Sequence, residues 1–266
     1  MSEELMVRQC APTLAGIKTG SLFPCPCTSR EELLCQVRSL NRRLSPKGLC
    51  LLPLRFTPGS VLLYLYRPAT LRRDLSDGLA RDILAQAGYE GDSCGRCVAT
   101  LIRRLRQGSD FPHEIGLFLS YPPEDVRGFV ENHACNYKCA GLWKVYGDER
   151  QAQRLFDRFK RCTDTYYRLW QAGATIEQLA VAGEKKGNEY HEKDCCYLLE
   201  RHRQHRGHGQ RRAGGYEVRR RGCRPADRRS GEHRRSGQLR RHRLRLPGYG
   251  QRGAGGDGVP AHVRRL

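Results

Sequence analysis

Thr13, Gly16, Lys18, Thr19 and Gly20 fall within eight residues of the stretch APTLAGIKTGSLF. Backbone amides, a hydroxyl and an ammonium placed so closely can grip an anion. The order Gly-x-x-x-x-Gly-Lys-Ser/Thr is absent, so this is no Walker loop. The plainer alternative is a structural turn with one exposed lysine. A second pair, His113-Glu114, follows Phe111-Pro112. An imidazole beside a carboxylate in a constrained turn can do acid–base work, because imidazole titrates near neutral pH. The competing reading gives Pro112 the shaping of the turn and His113 a hydrogen bond that holds it.

The cysteines raise a metal reading. CGRC places Cys94 and Cys97 at ligand spacing, and HACNYKC offers His133, Cys135 and Cys139. Together these could supply a zinc site. A repeated Cys-x-x-Cys pair is missing, however, and Cys25, Cys27, Cys35, Cys50 and Cys162 are scattered as small apolar residues are. LWKVYGD places Lys144 and Tyr146 on one face of a strand and Trp143 and Val145 on the other. Tyr121 and Lys144 could therefore join Lys18, His113 and Glu114 around a small phosphate- or carboxylate-bearing molecule.

Positioning these groups falls to alternating helices and strands. EELLCQVRSLNRRL, from Glu31 to Leu44, carries Leu33, Leu34, Val37, Leu40 and Leu44 on one helical stripe, with Ser29 as N-cap and Glu32 completing a capping box. Two β-prone runs flank Thr57-Pro58-Gly59-Ser60 and predict a hairpin. Helices are expected at 72–87 and 93–106, a buried strand at 115–120, and a helix from Pro122-Pro123 to about Asn132. A strand at AGLWKVYGD precedes a long helix over 150–171, with Leu155, Phe156, Phe159, Cys162, Tyr166 and Leu169 facing inward, and a short helix over 175–182. Without regular βαβ alternation the pattern predicts an α+β domain, helices packed on a mainly antiparallel sheet.

The charge is unevenly spread. The whole chain of 266 residues carries a formal +20, yet residues 1–190 carry 27 Lys+Arg against 21 Asp+Glu. Residues 191–266 contain no Phe, Ile, Trp or Met and hold 20 Arg, a single Lys and seven of the nine His. Such a segment cannot bury enough apolar surface to offset the entropy of ordering, so disorder is expected there. The predicted division is a domain over 1–188 and an Arg/Gly/His-rich tail over 189–266. No apolar run reaches bilayer length, the start MSEELMVRQC is mixed and acidic, and thirteen cysteines read as reduced thiols, so a cytoplasmic protein is expected.

CAPTLAGIKTGSLF from Cys10, LSPKGLCLLPL from Leu44, YRP at Tyr66, FPHEIGLFLSYPPEDVRGFVEN from Phe111 and LWKVYGD from Leu142 occur in this order. Over roughly residues 5–182 the chain resembles an uncharacterised bacterial family of unknown function, common in anaerobes and often encoded beside flavodoxin genes. The resemblance implies a fold and a setting and no reaction.

It also bears on the tail. The last two bases of each codon, joined to the first of the next, limit the residue encoded in the neighbouring frame. From Glu200 to His208 that frame permits SGTGNTEAM, and from Leu244 to Val263 it permits FGCPAMGSEELEETEFQPMF. The first is similar to a flavodoxin phosphate loop and the second to a later flavodoxin segment. Residues 191–266 thus read as an out-of-frame flavodoxin sequence. A basic arm binding nucleic acid through phosphates is the competing reading, and HRQHRGH a third, as a metal tract opposed by its arginines.

Three functions follow as expectations. The first is a ligand-binding or accessory protein of a flavodoxin-linked redox or metal system. The second is an enzyme acting on a small anion through residues 10–20 and His113/Glu114, and the third a nucleic-acid binder through the tail. The residues name no cofactor.

Overall fold

The computed structural model describes residues 2–183, apart from Asp92 and residues 108–110. The predicted tail and the end of the predicted 1–188 domain lie outside the described residues. The chain opens with a helix α1, Glu3–Leu14, whose buried Met6, Val7, Cys10, Ala11 and Leu14 recur at spacings of one, three and four. Strand β1, Gly20–Pro26, follows. Helix α2, Arg30–Leu44, begins where Ser29 Oγ accepts from Glu32 N, as its capping residues predict. Strands β2, Cys50–Thr57, and β3, Ser60–Tyr66, form the expected hairpin. Its turn places Pro58 before Gly59, whose φ of 74° is a left-handed value that glycine adopts without strain.

The three strands make one antiparallel sheet in the order β1-β3-β2, with Gly20 opposite Tyr66 and Cys50 opposite Tyr66 from the other side. Consecutive residues of β2 and β3 are buried, so both faces of the hairpin are covered. The edge strand β2 is closed by Asn41, a buried amide that donates to Leu51 O at 2.9 Å and accepts from Leu51 N at 2.8 Å. The register slips between Pro53 and Arg55, and Leu54 O at that irregularity accepts from Arg106 Nε at 3.2 Å.

Helices α3, Pro68–Leu75, and α4, Gly78–Gln86, replace the single helix expected over 72–87. Asp77 divides them, because its carboxylate caps Ala80 N at 3.0 Å and starts a new helix. Helix α5 spans Cys94–Gln107. The strand expected at 115–120 is instead a single helical turn α6, Ile115–Phe118. A short, fully apolar run has no distinguishing period. Here Ile115 N bonds Pro112 O and Leu117 N bonds Glu114 O, which closes the run into turns between Pro112 and Pro122.

Helix α7, Pro123–Glu131, is followed by a two-residue ladder of β4, Cys139–Ala140, and β5, Lys144–Val145. That ladder is all that forms of the strand expected at AGLWKVYGD. Helix α8, Glu149–Gln171, is capped by Asp148, and α9, Ile176–Leu179, carries a complete capping box between Thr175 and Gln178. Leu169 was expected to face inward but is 46% exposed, and in the last turns of α8 Tyr166 and Trp170 pack against the core instead. The result is an α+β domain with two apolar clusters. The larger surrounds the sheet, and the smaller is built from Trp143, Val145, Ala152 and Phe159.

Candidate functional site

The stretch from Thr13 to Gly20 is the end of α1, a turn and the start of β1. Its hydroxyls are committed internally. Thr13 Oγ1 pairs with Ser21 Oγ at 2.9 Å, and Thr19 Oγ1 donates to the Asp74 carboxylate. The backbone is committed as well, since Thr19 N donates to Ser120 Oγ at 2.6 Å and Thr19 O accepts from Arg67 N at 2.9 Å. Gly20 serves close packing rather than an anion. A Cβ there would lie 2.5 Å from the Tyr64 ring and 2.6 Å from Phe118 O. Tyr64 needs that approach to donate to Phe118 O at 2.6 Å.

Lys18 is different. Its ammonium lies 5.8 Å from the centre of the Phe159 ring, between α1 and α8, with the Cys10 thiol as the charged or chargeable neighbour that acts on it. It has no hydrogen-bond or ion-pair partner among the described residues. Burial pushes its pKa down from 10.5 to about 8, an effect that Cys10 partly opposes. Burial likewise pushes the Cys10 thiol far up, against smaller opposing effects from Lys18 and a hydrogen bond with Ser21. The site is therefore a half-buried amine near a neutral thiol, Cys10, which in turn bonds Ser21.

His113 and Glu114 turn to other elements. Glu114 is buried, accepts from Tyr89 Oη at 2.9 Å, and has Arg104 Nε 2.7 Å away without hydrogen-bond alignment. Burial first, and Glu114 second, raises the Tyr89 phenol well above its usual range. The pair ties α5 and the α4–α5 segment to α6. His113 packs on Phe129 of α7 at 4.9 Å between ring centres. Tyr121 stacks on Trp143 at 4.7 Å, and its hydroxyl donates to Leu142 O at 3.5 Å.

Lys144 donates to Ala134 O at 2.7 Å and lies 4.6 Å from the centre of the Tyr137 ring. His133, Ala134 and Asn136 have φ between 49° and 62°, left-handed values that cost free energy in residues with a Cβ. Lys144, together with Tyr146 Oη on Cys135 O at 2.9 Å, holds that turn in place. The metal candidates are also dispersed. Cys94 and Cys97 lie on α5, His133 and exposed Cys135 on the strained turn, and Cys139 on β4. No cluster of three or more His, Cys, Asp or Glu suited to a metal occurs among the described residues.

Two hubs carry much of the polar geometry. Arg67, in the YRP motif, is 4% exposed, and its guanidinium donates to Thr13 O, Leu14 O, Lys47 O and Val181 O at 2.7–3.3 Å. It caps the carboxyl end of α1 and pins the chain after α9 to it. Asp125 accepts from Trp143 Nε1, Tyr146 N and Gly147 N, each at 2.7 Å, and so welds α7 to the β5 segment. Both residues were quoted in motifs without a role, since no local pattern tells that a charge will be buried. An open groove of ≈ 450 Å³ runs between α1 and α8, lined by Glu3, Glu4, Tyr167 and Trp170 among others, and includes none of the predicted site residues. Its charges are paired within the chain, Glu4 with Arg8 and Glu3 with Arg43.

The architecture and this set of internal bonds define a small α+β domain with a three-stranded antiparallel sheet, in which the Lys18 amine is half-buried without a partner among the described residues. The chain belongs to the family described as Protein of unknown function (DUF3793), whose model matches residues 6–180. Neither a curated protein nor a solved structure matches it. No helix of the described residues is long and apolar enough to cross a membrane.

Proposed function

We propose that this chain is a ligand-binding accessory protein whose seat for a small anion is the Lys18 amine between α1 and α8. The observation that supports it is the solitary ammonium. A buried cation without a counter-charge costs free energy, and a carboxylate or phosphate supplies the charge that is missing. Thr13 and Ser21 pair with each other in the core, so the seat is the amine itself. His113 and Glu114 make their contacts with other elements, which supports binding over acid–base catalysis at this seat. The test compares melting of the full chain in inorganic phosphate and in chloride at equal ionic strength. Phosphate stabilises the wild type by mass action and leaves Lys18→Met unmoved. Equal phosphate response in the two proteins overturns the reading.

The setting we propose is a flavodoxin-linked redox system. It rests on the resemblance and on the offset-frame flavodoxin signal over residues 191–266, and both are associational grounds. On this reading the genuine domain ends near 182–188, and the positive charge beyond it is no binding arm. Reading the coding DNA in three frames tests it, and absence of an open flavodoxin frame across codons 192–266 ends it.

A further inference from the structure

The first turn of α5 carries two cysteines three residues apart, Cys94 and Cys97, in the sequence CGRC. Residues at i and i+3 lie on one helix face, with Cα atoms about 5 Å apart by helix geometry. That separation is inside the range a disulfide spans. The first cysteine sits at the first helical position, where the backbone is least constrained and can adjust to close the bond. Each sulfur rests on a backbone carbonyl. Cys94 Sγ contacts Pro68 O at 3.9 Å, at the start of α3, and Cys97 Sγ contacts Gly91 O at 3.8 Å.

Cys94 and Cys97 belong to the core cluster but lie nearer its surface than its deepest cysteines, with a charge beside them. Cys10, Cys25 and Cys50 are 0–1% exposed, whereas Cys94 is 8% and Cys97 6% exposed. The intervening Arg96 folds back over Gly91, so that a Cβ at Gly91 would lie 2.9 Å from its Nη1. A permanent cation therefore stands beside the carbonyl that Cys97 contacts. The amides of the first turn of a 14-residue helix add positive potential on the same side. A Cys-x-x-Cys pair at a helix start, with residual access and a neighbouring guanidinium, is an arrangement for thiol–disulfide exchange.

We infer that Cys94 and Cys97 form a dithiol centre that exchanges reversibly with an external disulfide, a function independent of the Lys18 seat. The Cys94 thiolate attacks one sulfur of a disulfide RSSR, forming a mixed disulfide and releasing RS⁻. The Cys97 thiolate then attacks the Cys94 sulfur, closes the Cys94–Cys97 bond and releases the second RS⁻. Each RS⁻ takes up one of the protons that the two protein thiols gave up. Two electrons pass from the protein to RSSR, which leaves as two RSH. Drawing the sulfurs together removes their contacts with Pro68 O and Gly91 O, so the oxidation state is coupled to how α5 and the turn before it sit on α3.

The full chain is equilibrated in glutathione redox buffers, quenched by alkylation and mapped by mass spectrometry, both native and in denaturant. The native chain is expected to form the Cys94–Cys97 bond at a ratio about tenfold more reducing than the denatured chain requires. Cys97→Ser is expected to trap glutathione on Cys94, and Cys94→Ser to trap none on Cys97. A native chain that forms the bond no more readily than the denatured chain, or that pairs Cys94 or Cys97 with a different cysteine instead, overturns the inference. The native–denatured comparison uses wild-type protein and so decides the matter even where a variant folds poorly.

Discussion

Replacing Lys18 by methionine keeps the aliphatic stem and removes the charge. In the native state burial holds the amine near pKa 8 against 10.5 unfolded. At pH 7 the side chain is therefore protonated in both states and pays the full cost of burying its charge, about 3 kcal/mol from that difference. Lys18 is only half-buried as a residue, so solvent screening reduces the figure and Lys18→Met is expected to gain about 1–3 kcal/mol at pH 7. The sign with pH follows from proton counts. Between pH 8 and 10.5 the unfolded chain holds more protons than the native one, so wild-type stability rises with pH through that window.

From pH 7 to 9 this group alone adds about 1 kcal/mol to the wild type and nothing to the variant. From about pH 8 the unfolded Cys10 thiol, whose ordinary pKa is 9.0, begins to ionise while burial keeps the native one neutral. That effect has the opposite sign and both proteins share it, so the difference between them is read and the comparison stops at pH 9. Urea denaturation of both proteins at pH 7, 8 and 9 measures the difference curve. A Lys18→Met protein less stable than wild type at pH 7, or a difference that does not shrink toward pH 9, would show that the amine is well solvated or paired. A more stable protein that has lost its phosphate response is the signature of a site kept at the expense of stability.

Gly20→Ala forces a methyl group into Tyr64 and Phe118 O and is expected to cost about 1–3 kcal/mol, with Tyr64→Phe in the same chain failing to recover it fully because the ring edge and the backbone carbonyl remain. Asp125→Asn turns a donor toward Trp143 Nε1 and is expected to cost about 2–4 kcal/mol in urea denaturation. Adding Trp143→Phe should cost less than the sum of the single changes, and strict additivity would show that the indole bond contributes nothing. Glu114→Gln leaves the Lys18 seat untouched, so it should lower the melting temperature without changing phosphate response, whereas a lost response would place Glu114 at the ligand. Residues 1–188 produced alone should fold and show no salt-sensitive DNA binding. Retained binding of that kind would return the nucleic-acid reading to the body of the domain.

Where neighbours along the chain carried the information, residue order was enough. Ser29 and Glu32 start α2, and Pro58-Gly59 closes the hairpin; in each case the bonded groups are three or fewer residues apart. The α+β class followed from the same local signals, and the family followed from motifs in order. The stripe Met6, Val7, Cys10, Ala11 and Leu14 that buries α1 is equally local.

Folding alone decided which side chains remain open to a ligand. Thr19 looked available until Asp74 took its hydroxyl across 55 positions, and Arg67 became a hub only when Leu14 and Val181 met around it. Ile115–Phe118 became a helical turn because Pro112 O and Glu114 O were placed to accept, which an apolar run cannot announce. Composition marks a lysine as a cation; only packing between α1 and α8 leaves Lys18 without a counter-charge among the described residues. Burial and pairing depend on contacts between residues distant in sequence, and no local spacing records those contacts.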